Sequence, residues 1–226
     1  MQRDEFLLNI KRKLETAVLP DTAPTLPPMP ALEPFDAAEL VRPFTNEVTA
    51  LAGEVHSVSS PEEAAEAVLS IFARHNASTY ISWEADKLPV PNLLSKLEAA
   101  NIHRQHYHIP AEKKARLTAL AALSSVPIGI TGVTGAVAES GAIGLVSEPG
   151  NGRFASLLPP IHIAIMTTSQ LVPTLHHFLA AHPEATTKGS NLVFIAGPSR
   201  TADIEMTLTI GVHGPKELHI VLIEKP

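Results

Sequence analysis

Five nearly continuous apolar runs, rich in β-branched residues, crowd the second half of this chain. They are Val126 to Ile130, Ala142 to Val146, Ile161 to Met166, Leu192 to Ala196 and Leu218 to Ile223. A strand that is apolar on both faces belongs in a sheet covered on both sides by helices, as parallel sheets are. A helical pattern over residues 169–181, with Leu171, Leu175, Phe178 and Leu179 on one face, falls between two of the runs. Such alternation predicts a layered α/β fold, with a largely parallel sheet and helices on both faces.

The first half follows the same plan. Ser60 before Pro61, with Glu63 three residues on, predicts a capped helix over 61–75 with Val68, Ile71 and Phe72 inward. A strand over Thr79–Trp83, a helix near 91–100, a strand near 102–108 and a helix near 111–123 follow. Ahead of them, Phe6, Leu7, Ile10, Leu14 and Val18 recur at helical spacing. Seven prolines between Pro20 and Pro43 then forbid a regular helix. The expected organisation is an N-terminal amphipathic helix at 1–19, a proline-rich linker at 20–43 and one α/β domain at 44–226. The helix must bury its apolar stripe, either on its own domain or on a neighbouring subunit, which would make a homo-oligomer through the N-terminal arm.

Composition removes several classes. The net charge is −6, and the only dense basic run is Lys11-Arg12-Lys13, so no nucleic-acid partner is predicted. There is no cysteine. Disulfides and thiolate-held iron–sulfur clusters are therefore excluded from this chain, and no cofactor bound by it is expected. No stretch approaches the roughly 18 apolar residues of a membrane span. No secretory signal is visible, because Phe6-Leu7-Leu8 is cut short by Asn9 and Lys11, so the expected location is cytoplasmic.

Ligands of open α/β sheets bind beyond the carboxyl ends of the strands, so the strand exits are the places to look. Leu192–Ala196 leads into Gly197-Pro198-Ser199-Arg200-Thr201-Ala202-Asp203-Ile204-Glu205. Ser199 or Thr201 is expected to cap a helical turn whose free N–H groups, with Arg200, would hold a carboxylate or phosphate. Asp203 and Glu205 would orient Arg200 or act on substrate protons. Val126–Ile130 leads into Thr131, Gly132 and a glycine-rich stretch ending in Glu139-Ser140-Gly141. Glu139 is the sole charge between Arg116 and Glu148 and is expected to be partly buried. Arg153 closes the loop after Ala142–Val146. His213, between Gly211 and Gly214, would face the cleft and titrate near neutrality.

Other histidines carry less. His106 and His108 share a strand face, His103 takes the other, and no carboxylate accompanies them, so no metal site is expected there. His162 sits on a buried-looking strand and reads as a hydrogen-bonded core histidine.

Ala138-Glu139-Ser140-Gly141-Ala142-Ile143 resembles the A-E-T-G-T core of the lactate-utilisation LUD-domain family, with Ser140 and Ala142 replacing its threonines. Arg153 through Pro160 resembles the family's R-x-x-S-x-L-P stretch. Gly197 through Glu205 resembles its G-P-S-x-T-x-D-I-E signature, and Gly211-Val212-His213-Gly214-Pro215 its G-x-H-G-P signature. Order and spacing match over about residues 50–225, and the cysteine-free form is similar to the short branch of the family rather than the larger iron–sulfur branch. The resemblance implies a fold of the sugar-phosphate isomerase and CoA-transferase superfamily. It also implies a part in oxidising L-lactate to pyruvate beside iron–sulfur partner subunits, as an accessory subunit rather than a self-sufficient enzyme. On that reading Thr131, Gly132, Ser140, Gly141, Arg153, Ser199, Arg200, Thr201, Asp203 and Glu205 bind the ligand, while Glu139 and His213 orient it or shuttle a proton. Two alternatives stand beside it. One is a stand-alone enzyme acting as a CoA transferase, a sugar-phosphate isomerase or a folate ligase, with Glu139 as the transferase nucleophile. The other is a non-catalytic ligand-binding or regulatory module.

Overall fold

The structure is a computed structural model that describes residues 3–17, 31–106, 109–185, 187, 189–202, 208–211 and 213–224. In chain order its first elements are α1 (Arg3–Glu15), α2 (Val41–Ala50), β1 (Glu54–Val58), α3 (Pro61–Arg74), β2 (Thr79–Ser82), α4 (Leu93–Ala99), β3 (His103–Arg104), α5 (Lys113–Leu123) and β4 (Ile128–Thr131). There follow β5 (Gly135–Val137), β6 (Ala142–Ser147), α6 (Phe154–Leu157), β7 (Ile161–Thr167), β8 (Leu171–Val172), α7 (Leu175–Ala181), β9 (Asn191–Ile195), β10 (Arg200–Ala202), β11 (Leu208–Ile210) and β12 (Glu217–Ile223). Two compact units divide the chain, Met1–Leu32 and Glu33–Pro226.

In the first unit, α1 carries Asp4 and Glu5 in its first turn and Arg12 and Lys13 in its last, the arrangement that suits the helix dipole. None of its residues is buried. Residues 20–30 of the predicted proline-rich segment, with five of its seven prolines, lie outside the described residues. Pro43 does not belong to it: it falls in the first turn of α2, where a missing N–H removes no helical hydrogen bond.

In the second unit, a six-stranded sheet runs in the order β1-β12-β7-β4-β2-β3, with every pairing parallel. Helices flank it. α3 packs on β1 and β12, and α6 on β4 and β7. They take opposite faces: Gly129, which meets α6, is in register with His162 and Leu218, whereas His75 at the end of α3 meets Glu217, on the other side of the strand from Leu218. Gly129 shows how close α6 comes: a Cβ there would sit 1.8 Å from the Ala155 carbonyl oxygen, so only glycine fits. The core joins Phe72, Ile71, Ile128, Ile130, Ile163 and Ile220, all buried. α3 begins as its sequence dictates, with Ser60 Oγ accepting from the Glu63 N–H at 3.1 Å and Glu63 Oε2 accepting from the Ser59 N–H at 2.7 Å.

Two of the five apolar runs take a different place from the expected one. β6 and β9 leave the parallel sheet and form a second, four-stranded sheet in the order β8-β5-β6-β9. There β5 and β6 pair antiparallel, as do β6 and β9. The cause is a short strand hidden in the glycine-rich stretch. β5 is joined to β6 by residues 138–141 alone, and a connection that short can only return antiparallel. Gly141 makes the turn at φ +60, with room for no Cβ because Val48 N would be 2.7 Å away. The helix predicted over 169–181 is also shorter. Leu171 belongs to β8, Pro173 intervenes, and α7 starts only after its cap at Thr174.

Candidate functional site

The chain passes from β2 outward to β3 and then returns to β4 on the other side of β2. The carboxyl ends of β2 and β4 thus flank a topological switch point, the usual ligand crevice of such sheets. A cavity of about 240 Å³ lies there, lined by Ser82, Glu84, Arg104, Gln105, His106 and Glu148, among others. Arg104 reaches across from β3 and donates to the Ser82 and Trp83 carbonyls at 3.1 and 3.2 Å. It also holds Glu84 through both guanidinium ends, at 3.1 and 3.0 Å. Those hydrogen bonds lower the Glu84 carboxyl below its ordinary pKa. Lys87 pairs with Glu148 at 3.6 Å. The charges of this crevice are therefore matched in opposite pairs. Ser82 Oγ is buried without a hydrogen-bond partner.

A second cavity, of about 380 Å³, collects residues from three distant stretches. They are Ser156 and Leu157, then Val193 through Arg200, then His213 through Pro215. The last two are laced together. Ser199 N–H donates to the Pro215 carbonyl at 2.8 Å, Gly211 N–H donates to the Ser199 carbonyl at 2.8 Å, and His213 N–H donates to Ser199 Oγ at 3.4 Å. Arg200 anchors the far side by donating to the Leu51 carbonyl at 2.7 Å. Ser156 Oγ donates to the Arg153 carbonyl at 3.1 Å. Arg200 is exposed, and no carboxylate lines this cavity among the described residues. An anion would meet a cation and an imidazole without a competing negative charge.

The expected helical turn after β9 does not form. Gly197, at φ +117, turns the backbone into β10, which pairs antiparallel with β11 through Arg200↔Ile210. The Ser199 N–H is consumed by Pro215 rather than left for a ligand. Ser199, Arg200 and His213 do share one cavity, but Glu139 is not with them. Glu139 stands exposed in the one-turn helix between β5 and β6, where its Oε1 accepts from the Leu175 N–H at 3.0 Å. It supplements the Thr174 cap at the start of α7 instead of lying partly buried. Ser140 and Gly141 share that turn, against α2.

Thr131 is fully buried, and its hydroxyl pairs with His162 Nε2 at 2.9 Å. His162 is indeed a core histidine, and burial pushes its pKa down to about 3. Gly132 lies where a Cβ would meet the Lys87 carbonyl at 2.4 Å. Arg153 is exposed at the start of α6, and its carbonyl, not its guanidinium, serves Ser156. Thr201 falls in β10. Asp203, Glu205 and His108 lie outside the described residues. His103 does have a carboxylate beside it, with Nδ1 3.0 Å from Glu98 Oε1. The sequence reading passed over Ser82, Glu84 and Arg104, although the same strand-exit rule applied to β2 and β3 points to them.

Fold and cavities define a layered α/β protein, built on one parallel and one mixed sheet with a further strand pair, whose polar residues gather in pockets beyond the strands. The LUD domain model matches residues 41–223, and the chain belongs to that family. Lactate utilization protein C of Halalkalibacterium halodurans is 30% identical over 234 residues, covering 99% of this chain and 98% of the relative. Its namesake from a Geobacillus species is 33% identical over 170 residues, 72% of this chain and 70% of the relative. A solved structure of a DUF162 family protein from Deinococcus radiodurans matches with a TM-score of 0.60 at 22% identity, over 84% of this chain and 99% of that one, which speaks for the fold. No helix among the described residues is long and apolar enough to cross a membrane.

Proposed function

We propose that this chain is a component of L-lactate utilisation that holds a small carboxylate, or a similar anion, in the cavity between Ser156, Arg200 and His213. The observation that carries this reading is the convergence there of the three sequence stretches described above. The names of the relatives supply the substrate class. Arg200 offers the cationic fork suited to a carboxylate, and exposed His213 offers an imidazole that can hydrogen-bond to it. Oxidising lactate to pyruvate removes two electrons and two protons. A chain with no cysteine has no thiolates for an iron–sulfur cluster, so the electrons pass to clusters on partner proteins. Glu139, spent on the N-terminus of α7 and outside the cavity lining, fits a structural role better than that of a transferase nucleophile.

Reconstituted lactate oxidation, measured with and without this chain, tests the proposal. Loss of lactate-dependent electron transfer on omission is expected, and its return on adding the chain back. Equal rates in both preparations would end the proposal.

A further inference from the structure

At the amino-terminal end of the parallel sheet, opposite the switch point, α3, β1 and β12 bring together three histidines and two glutamates. Glu217 and His219 are two apart on β12, so both point to the face that α3 covers. His75 closes the C-terminus of α3 above them. We propose that His75, Glu217 and His219 bind one divalent transition-metal ion, of which Zn²⁺ is the reference case. This site stands apart from the anion cavity and does not depend on it.

Four observations carry the inference. One donor atom from each residue lies within 4.8 Å of the other two. His75 Nε2 and His219 Nε2 stand 3.3 and 3.5 Å from Glu217 Oε2. Ligands held at about 2.0–2.1 Å around a tetrahedral ion are separated by roughly 3.3–3.4 Å, so little movement is needed. Both Nε2 atoms are buried with no hydrogen-bond partner, and the His219 side chain is only 1% exposed. A buried nitrogen so placed costs free energy unless something binds it. Finally, the other side of His219 is furnished as metal-binding histidines usually are. Its Nδ1 lies 3.5 Å from Glu54 Oε2 and 3.3 Å from His56 Nε2. Glu54 is itself gripped by Arg74 at 2.8 and 3.1 Å. With the ring proton on Nδ1, facing His56 Nε2 and the Glu54 carboxylate, the Nε2 lone pair is left for the ion. Glu217 is half-exposed, which gives the ion a way in and leaves a position for water. Two histidines and one carboxylate suit zinc and its first-row neighbours and suit Mg²⁺ poorly. Bound there, the ion would tie the end of α3 to β12.

The test uses untagged full-length chain, stripped with a chelator and titrated with Zn²⁺ against a competing chromogenic chelator. One Zn²⁺ per chain and a rise in Tm with Zn²⁺ concentration are expected. His75→Asn and Glu217→Gln change only partly exposed side chains, and each should weaken binding by about tenfold or more, with Glu54→Gln weakening it by about tenfold through His219. His103→Asn, at an exposed histidine–glutamate pair, should leave affinity unchanged. Absence of saturable Zn²⁺ uptake, or wild-type affinity in folded Glu217→Gln, overturns the site.

Discussion

The two larger sheets of this protein both take up apolar runs of the sequence yet do different work. β7 and β12 run through the middle of the parallel sheet, where their residues are buried nearly without exception. β9 edges the four-stranded sheet, and every one of its residues is only partly buried. It leads directly into Gly197–Arg200, and Val193 through Ile195 help to line the cavity. The apolar character of a run thus reports that it is covered, but not by what. One sheet is the frame, while the other presents its margin to a ligand.

Core truncations give the sharpest contrast. Ile163→Ala, at a fully buried position of β7, should cost about 2–5 kcal/mol in chemical denaturation. Val193→Ala in β9 should cost about 1 kcal/mol, because its side chain is only partly buried and loses fewer apolar contacts. Similar losses at both sites would erase the distinction between frame and margin.

Acid should act on the frame next. His162 titrates near 6.5 in the unfolded chain but only at about 3 in the folded one. As pH falls below 6.5 the unfolded state takes up a proton that the folded state refuses, so stability declines through that window and is fully present above it. Burial lowers His56, His182 and His219 in the same direction. His162→Gln keeps a hydrogen-bonding partner for Thr131 and should flatten the decline between about pH 6.5 and 5, above the ordinary carboxylate range. An unchanged slope would mean that His162 is not the buried neutral group described.

The smallest effect belongs to Glu139. Glu139→Ala removes one acceptor from the start of α7 and should cost about 0.5–1 kcal/mol, with anion affinity unchanged. A folded variant that no longer binds anion would return Glu139 to the site.

Much of the frame was legible because its signals are local. Ser60-Pro61 with Glu63 announces α3, and the apolar setting of His162 announces a core histidine. The second sheet was misread because β5 is three residues long and half disguised by glycine, so its hairpin with β6 looked like a loop. The turn after β9 was misread for a related reason: capping residues were taken for a helix start where a strand pair forms. For the site, the reading placed Ser199, Arg200 and His213 together and added Glu139, which belongs to another turn. The histidine cluster left no trace in the sequence. His56 and His219 are 163 positions apart and meet only through the parallel pairing of β1 with β12.

Calorimetric titration of the purified chain with L-lactate, pyruvate and inorganic phosphate, beside Arg200→Gln, bears most directly on the anion cavity. Saturable binding of at least one of the three should weaken about 10- to 100-fold in the variant, the equivalent of ~1.5–3 kcal/mol for a lost charged hydrogen bond, with Tm held close to wild type. No binding of any of them, or equal affinity in folded Arg200→Gln, would contradict the account.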